Sequence, residues 1–380
     1  MTGSPVTVTA VAGKADLKQF LKVPWGIYAD DPNWVPPLLM ERLDHLNPKK
    51  NPFFNLAEVA YWIAWQGGRP VGRISAQVNR AHLARHNDDA GHFGFLEAID
   101  DPAVFAALFE TACDWLRARG MKRVRGPFTL SINDESGLLV DGFDCPPSVM
   151  MGHAKPYYGP QVEAQGFRKV KDLLAYFYDA RNEIPPPIVK LIEKTKESQR
   201  FTVRPLDTKR YREDLDSILD IFNDAWFDNW NFVPLSDAEV TYLAKNIRPL
   251  IDPKNVAIAE LQGRPVAMVV TLPNLNEAIA DLDGRLLPFG WAKLLWRLKV
   301  KTPKTIRMPL MGVRREFHGS ALGAALAISV IAATRRHLID RGALSGELSW
   351  VLEDNRPVRR IIEGLDAYVY KTYRVYEREL

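Results

Sequence analysis

The residues whose types and spacing best suit chemistry lie between Met308 and Gly342. An apolar run, Met308-Pro309-Leu310-Met311-Gly312-Val313, leads into Arg314-Arg315-Glu316-Phe317-His318-Gly319-Ser320-Ala321-Leu322-Gly323-Ala324. Leu322, Leu326 and Val330 then recur at helical spacing, and the pattern stops at Arg341-Gly342. The order predicts a strand, a basic small-residue turn and a helix. Such a turn leaves backbone N–H groups at the helix N-terminus, with Arg314, Arg315 and His318 beside them, and suits a phosphate or diphosphate. A plain strand–turn–helix corner accounts for the same residues as well. Further on, Glu347-Leu348-Ser349-Trp350-Val351-Leu352 reads as a strand with Glu347 and Ser349 on one face. Those two are a satisfied hydrogen-bond pair, a solvent-facing edge, or groups that handle a proton. Asn355 opens the next helix as an N-cap. Tyr368, Tyr370, Tyr373 and Tyr376 crowd the last strand, as core packing or as proton donors. In the first half, Asn133, Asp134 and Glu135 follow a strand, and His153 precedes a helix; they read as a capped, solvated loop, or Glu135 or His153 is a proton acceptor.

The elements that must position these groups fill 380 residues, more than one domain. Hydrophobic residues make up 47% and charged residues 25%, as in an ordinary globular protein. No apolar run is read as long enough to cross a bilayer, and no N-terminal signal peptide is visible. Cys113 and Cys145 have neither disulfide-framework nor zinc-ligand spacing, so the expectation is a cytoplasmic protein without a metal. A formal charge of +4, from 50 basic and 46 acidic residues, argues against a nucleic-acid surface.

The two halves repeat one series. In the first, residues 6–11 read as a strand and 16–28 as a helix that Pro24 kinks or ends. Residues 59–65 and 71–78 flank the turn Gly68-Arg69-Pro70-Val71, and 94–98 is a further strand. Asp101-Pro102 starts a helix that Arg119-Gly120 stops. Strand 124–129, helix 157–166 and an aromatic strand, 167–179, follow. Residues 181–187 read as a linker ending in three prolines. The second half runs through strand 201–206, helix 214–226 and strands 256–261 and 266–272 around Gly263-Arg264-Pro265-Val266. The opening stretch, strand 344–352, helix 355–363 and aromatic strand 367–376 complete it. The shared turn, helix stop and element order indicate an internal duplication.

This element order resembles the GNAT acyltransferase fold, and the basic loop resembles that superfamily's acyl-CoA pyrophosphate loop. His318, Ala321 and Gly323 depart from the usual Gln or Arg followed by two glycines. The resemblance implies an α/β protein of two tandem GNAT-like domains, each a mixed, mostly antiparallel sheet flanked by helices. The domains are expected over 1–180 and 201–380, joined by 181–200, with the acyl-CoA site in the second. It implies donor contacts at Met311, Val313, Arg314, Arg315, His318, Gly319, Ser320, Ala321, Leu322, Gly323, Ala324 and Asn355. The first half's equivalent, Glu97-Ala98-Ile99-Asp100-Asp101-Pro102, is acidic and should repel a diphosphate, leaving that domain for the acceptor or for structure. Segments 24–38, 51–54, 126–143 and 347–355 are also similar to a bacterial group that includes ceramide synthases. That likeness implies N-acylation of a sphingoid long-chain base by an acyl-CoA. The GNAT resemblance implies a tyrosine, Tyr373 or Tyr370, as general acid; Glu347, polar on a strand expected to be central, is a further catalytic candidate, and the repeat alignment offers Glu135 or His153 as base for the acceptor amine.

One more stretch bears on the substrate. From Leu286 to Lys301, Trp291, Leu294, Leu295 and Leu298 fall on one helical face and Lys293 and Arg297 on another. That pattern fits a helix lying on an anionic membrane, a lid, or a helix packed on its own core. Three other activities remain open: N-acetylation of a small polar amine, a non-catalytic acyl-CoA or lipid-binding module, and a transferase resembling the Fem enzymes.

Overall fold

Turn chemistry and periodicity act twice in this chain, once in each of two units of the computed structural model, which describes residues 4–199, 201–247 and 252–380. The first unit holds the chain through Leu173, with Ile279–Gly290 and Lys371–Leu380; the second holds Leu174–Ala278 and Trp291–Tyr370.

The first unit runs β1 (Val6–Ala10), α1 (Lys14–Ile27), α2 (Leu39–His45), β2 (Ala57–Gln66), β3 (Arg69–Asn79), α3 (Arg80–His86), β4 (Ala90–Ala98), α4 (Pro102–Arg117), β5 (Arg123–Gly126), β6 (Leu138–Asp141) and α5 (Tyr158–Ala164). β7 (Arg168–Asp179) begins here and ends in the second unit. Strands β1 to β4 are antiparallel neighbours, and β5 lies parallel to β4. Pro24 sits inside α1 without ending it. A proline there removes the N–H that would bond the carbonyl four residues back, that of Phe20. Buried Arg73 supplies the missing donor, with Nη1 3.2 Å from Phe20 O. Asp101 caps α4 through Ala103 N, and Val104, Phe105, Leu108, Phe109, Ala112 and Leu116 give it a buried face.

The second unit continues with α6 (Pro186–Gln199), β8 (Phe201–Pro205), α7 (Tyr211–Ala225), α8 (Asp237–Ile247), β9 (Val256–Leu261), β10 (Arg264–Pro273), α9 (Leu275–Ile279), α10 (Gly290–Lys299), β11 (Thr305–Val313), α11 (Ala321–Asp340), β12 (Ser345–Leu352), α12 (Arg356–Glu363) and β13 (Tyr368–Glu379). Its strand order is β8-β9-β10-β11-β12-β7, while the end of β13 pairs with β5 and β6 in the first unit. α6 begins within the proline run, because prolines in a helix's first turn forgo only N–H groups that have no partner there. α11 is long and apolar enough to cross a membrane by composition. Its Leu326, Ala327 and Val330 instead share a core with Ala257, Ala259, Val266 and Val269, so it is a core helix.

The duplication shows in the registers. Gly72 pairs with Ala98 as Ala267 pairs with Val313, and His92 faces Arg125 as Arg307 faces Glu347.

A histidine cluster braces the first unit. His82 is fully buried, its Nε2 lies 3.0 Å from Asp88 Oδ1, and its ring sits 4.6 Å from those of His86 and His92. Asp88 also meets Arg125 at 3.1 Å, and Arg125 meets Glu377 of β13 at 2.6 Å. Burial pushes His82 down to about 4 despite Asp88, and His92 well below its usual value. An unfolded histidine titrates near pH ~6.5, so between there and about 4 the unfolded chain binds a proton that the fold refuses. Stability should therefore fall on acidification through that window, by about 3 kcal/mol for His82 alone. Urea unfolding from pH 7 to 4.5 should show this loss, and H82Q should flatten it; an equal slope in H82Q would contradict the assignment.

Candidate active site

In the second unit β11 follows two neighbours for only part of its length. Its parallel ladder with β12 runs from Thr305↔Ser345 to Met308↔Leu348, while its antiparallel ladder with β10 continues to Val313↔Ala267. Past Met308 the two parallel strands part, and Pro309 has no N–H to offer there. Met311 O accepts a bond from Trp226 Nε1 at 3.2 Å. Gly312 lets α7 come close: a Cβ there would sit 3.2 Å from that of Ala225.

The loop after β11 is tightly braced. Arg314 Nε donates to Pro265 O at 2.9 Å and Nη2 to Asp220 at 2.5 Å. Arg315 donates to Asp224 from its backbone N at 2.8 Å and from Nε at 3.3 Å, and to Asp228 from Nη1 at 3.3 Å. His318 Nε2 lies 2.7 Å from Val313 O; a carbonyl only accepts, so this nitrogen carries a proton and pins the loop to the strand. Gly319, at φ +71, turns the chain into Ser320. Ser320 Oγ caps α11 by accepting from Gly323 N at 3.0 Å. A Cβ on Gly323 would lie 2.1 Å from Phe317 O, so glycine is required for the loop to fold onto the helix. Ala321 is exposed in the first turn, Leu322 packs at the edge of the core, and Ala324 N bonds Ser320 O. Gly323 N and Ala324 N are thus taken, and the earlier amides, of Ala321 and Leu322, are the ones that precede any carbonyl of their own helix they could bond.

At the root of the parting strands lies a buried polar network. Arg307 is 0% and Glu347 3% exposed. Arg307 Nε donates to Ser349 Oγ at 3.0 Å and lies 3.5 Å from Glu347 Oε1. The Ser349 hydroxyl donates to Glu347 Oε1, and the Tyr370 hydroxyl to Glu347 Oε2. Such a pair tolerates burial because each carboxylate oxygen has a donor. Tyr370 is half-buried and forms the outer end of the network. Tyr373 lies elsewhere, fully buried in the first unit, where a Cβ on Gly137 would come 2.9 Å from its own. Asn355 caps α12, accepting from Val358 N at 3.3 Å.

In the first unit, Glu135 accepts from Arg42 Nη1 at 2.9 Å. His153 has a separate partner, with Nε2 3.1 Å from Asp31 Oδ2, and Asp31 also meets Lys155 at 3.2 Å. Burial lowers the pKa of His153 against the opposing pull of Asp31, so the ring is neutral near pH 7. Sequence reasoning missed a third group here: Tyr28 and Tyr158 both donate to Glu97 Oε2, at 2.7 and 2.8 Å, with Arg73 3.6 Å from Oε1. Burial raises the pKa of Glu97. By strand register Glu97 stands where the second unit has Gly312. Ala98 N, at the end of β4, is taken by Tyr158 OH at 3.0 Å. The first unit's counterpart of the basic loop is therefore acidic and occupied by its own side chains. Among the described residues no cluster of three or more His, Cys, Asp or Glu could hold a metal ion.

No family model matches this chain. It is 48% identical to the bacterial ceramide synthase of Caulobacter vibrioides, over 100% of this chain and 99% of that protein. The chain belongs to the bacterial ceramide synthase family. Protein YghO of Escherichia coli is 43% identical over 98% of this chain and 95% of its own length. Among solved structures, a tandem GNAT protein from the clavulanic acid biosynthesis pathway superposes with a TM-score of 0.57 at 12% identity, covering 98% of each chain. The fold is that of tandem GNAT domains, and the protein is an N-acyltransferase.

The geometry brings together Glu347, Ser349, Arg307 and Tyr370, and if Tyr370 is the group that moves the proton an acyl transfer to nitrogen requires, its hydroxyl is indispensable. Y370F should lower the rate of amide formation by about 100-fold or more, as loss of a positioned acid or base does. Y373F should lower it far less. Equal losses in both variants would contradict the placement.

Proposed function

We propose that this acyltransferase takes a long-chain acyl-CoA and acylates the amine of a sphingoid-type long-chain base, giving a ceramide-type amide. The observation that carries this reading is the full-length similarity to a protein named as a ceramide synthase. The amine nitrogen attacks the thioester carbon; the C–N bond forms, the C–S bond breaks, and the thiolate leaves with a proton. Arg314, Arg315 and the first turn of α11 would meet the donor's phosphates, and Met311 and Val313, where β11 has left β12, its pantetheine arm. Asn355 would meet the same arm from the start of α12. The Glu347–Tyr370 pair would move protons between the ammonium and the departing sulfur. Glu135 and neutral His153 would serve the acceptor.

The exposed face of α10 supports a lipid substrate. Leu298 is buried and Leu294 half-buried, but Trp291, Leu295 and Trp296 are 51%, 47% and 51% exposed. Val300, just past the helix, is 69% exposed, and Leu287 and Phe289, just before it, 68% and 78%. Lys293, Lys299 and Lys301 are exposed along the same stretch. The face expected from sequence divides: Leu294 and Leu298 turn to the protein, and the tryptophans stay outside. Exposed aromatic and aliphatic side chains among lysines describe a helix lying on an anionic bilayer. We infer that the protein lies peripherally on the inner face of the membrane, in reach of a long-chain acceptor dissolved there. A small polar amine as acceptor would not need this surface.

Purified protein should form amide and free CoA from long acyl-CoAs and a long-chain base, with far slower turnover of acetyl-CoA. Turnover confined to short donors would favour a small-amine acetyltransferase, and CoA binding without product across donors and amines a binding module. Vesicles containing phosphatidylglycerol should sediment the protein, and those of phosphatidylcholine alone should not. At about 1 kcal/mol per cation, replacing Lys293 and Lys299 with Gln should weaken this binding up to about thirtyfold. Undiminished sedimentation of that variant would contradict the membrane-facing role of α10.

A further inference from the structure

α7 carries charges that its own helix does not want. Asp220 and Asp224 are one turn apart near its C-terminal end, and Asp228 follows in the turn beyond. The last turn of a helix carries partial negative charge, which the carboxylate of Asp224 opposes, and that turn of α7 has no basic residue to offset it. Their partners lie on the loop after β11. Asp220 holds Arg314, and Asp224 and Asp228 hold Arg315, whose guanidinium also lies 4.6 Å over the Phe227 ring. The three carboxylates do not do the same work. Asp224 is 28% exposed and also accepts from Arg315 N, so it shapes the loop backbone. Asp220 and Asp228 are 67% and 76% exposed and touch the guanidinium groups from outside. Ion pairs that open to water are weak and easily exchanged. The neighbouring loop charge, Glu316, pairs with Arg264 at 2.8 Å and adds no free cation.

We propose that Asp220 and Asp228 form an acidic latch that occupies Arg314 and Arg315 until a diphosphate displaces it, with Asp224 as the fixed hinge. The inference rests on the reading of this loop as the donor's phosphate site. The latch sets donor affinity: the diphosphate of CoA, a dianion, exchanges for two solvent-facing carboxylates and must compete with them. It also ties the donor loop to α7, whose Trp226 donates to Met311 O where β11 has left β12. A diphosphate at the loop thus loosens the grip of α7 next to the strand that would receive the thioester.

Binding of free CoA to the full chain, measured by calorimetry at low and moderate salt, tests this. D220N and D228N keep the side-chain shape and remove the charge. Each should tighten CoA binding about three- to tenfold at low salt, with the gain shrinking as screening rises. D224N should not tighten it, since the loop loses its brace. Unchanged or weakened affinity in D220N and D228N, with the wild type binding CoA and R314A/R315A losing it, would overturn the latch and leave the donor site standing. No binding by the wild type, or full binding by R314A/R315A, would overturn the donor site and the latch with it.

Discussion

A charged pair shut off from water, Arg307 with Glu347, sits one residue before β11 and β12 stop pairing. Burying two charges costs several kcal/mol per ion unless their hydrogen bonds are met, so the surroundings must supply them. Ser349 comes from the same face of β12, Tyr370 from the start of β13, and the Trp350 ring covers the guanidinium at 4.5 Å. Satisfying this one pair fixes the register of the parallel ladder and the side of β13 that faces it. It also fixes the point at which β11 is left with a single neighbour. Everything proposed for the donor follows from that point: the strand that would take the pantetheine, the loop pinned by His318 and Ser320, and the helix end that carries anion-binding amides.

The two units show how one element order yields different sites. Their ladders have matching registers, yet the residue pair facing across the third step is His92 with Arg125 in one and Arg307 with Glu347 in the other. Where the second unit places Gly312, which admits α7, the first places Glu97 under two tyrosines. A carboxylate in that position, with Tyr158 closing the end of β4, disfavours a phosphate. One element order thus carries two different local chemistries, a tyrosine-bound carboxylate in the first unit and an arginine-bearing loop held by aspartates in the second.

Much of this was legible from sequence because it is local. The hairpins around Gly67-Gly68 and Gln262-Gly263, the Asp101-Pro102 helix start, the strand–loop–helix at 305–340 and the Glu347–Ser349 face all follow from periods, caps and turn residues. α8 was missed although Ser236 and Glu239 form a capping box with reciprocal bonds, a signal that was present in the sequence. Other features are not local. Which tyrosine of β13 reaches Glu347 depends on the path of that strand, and only Lys371 and Thr372 separate Tyr370 from Tyr373. The Glu97 network joins Tyr28, just past α1, with residues from β3, β4 and α5, and the Arg73 bond to Phe20 O that lets Pro24 stay inside α1 is likewise tertiary. The pairing of Arg314 and Arg315 with α7 needed the packing of that helix on Gly312. The outward face of α10 depends on which side the core takes, and amphipathic spacing alone does not choose.

The central claim is a single donor site in the second unit, at the strand that parts from its neighbour. Hydrogen exchange of the full chain with and without CoA tests it most directly. With CoA bound, new protection is expected across residues 311–324 and none across 96–104. Protection of 96–104, or none at 311–324 under saturating CoA, would contradict it.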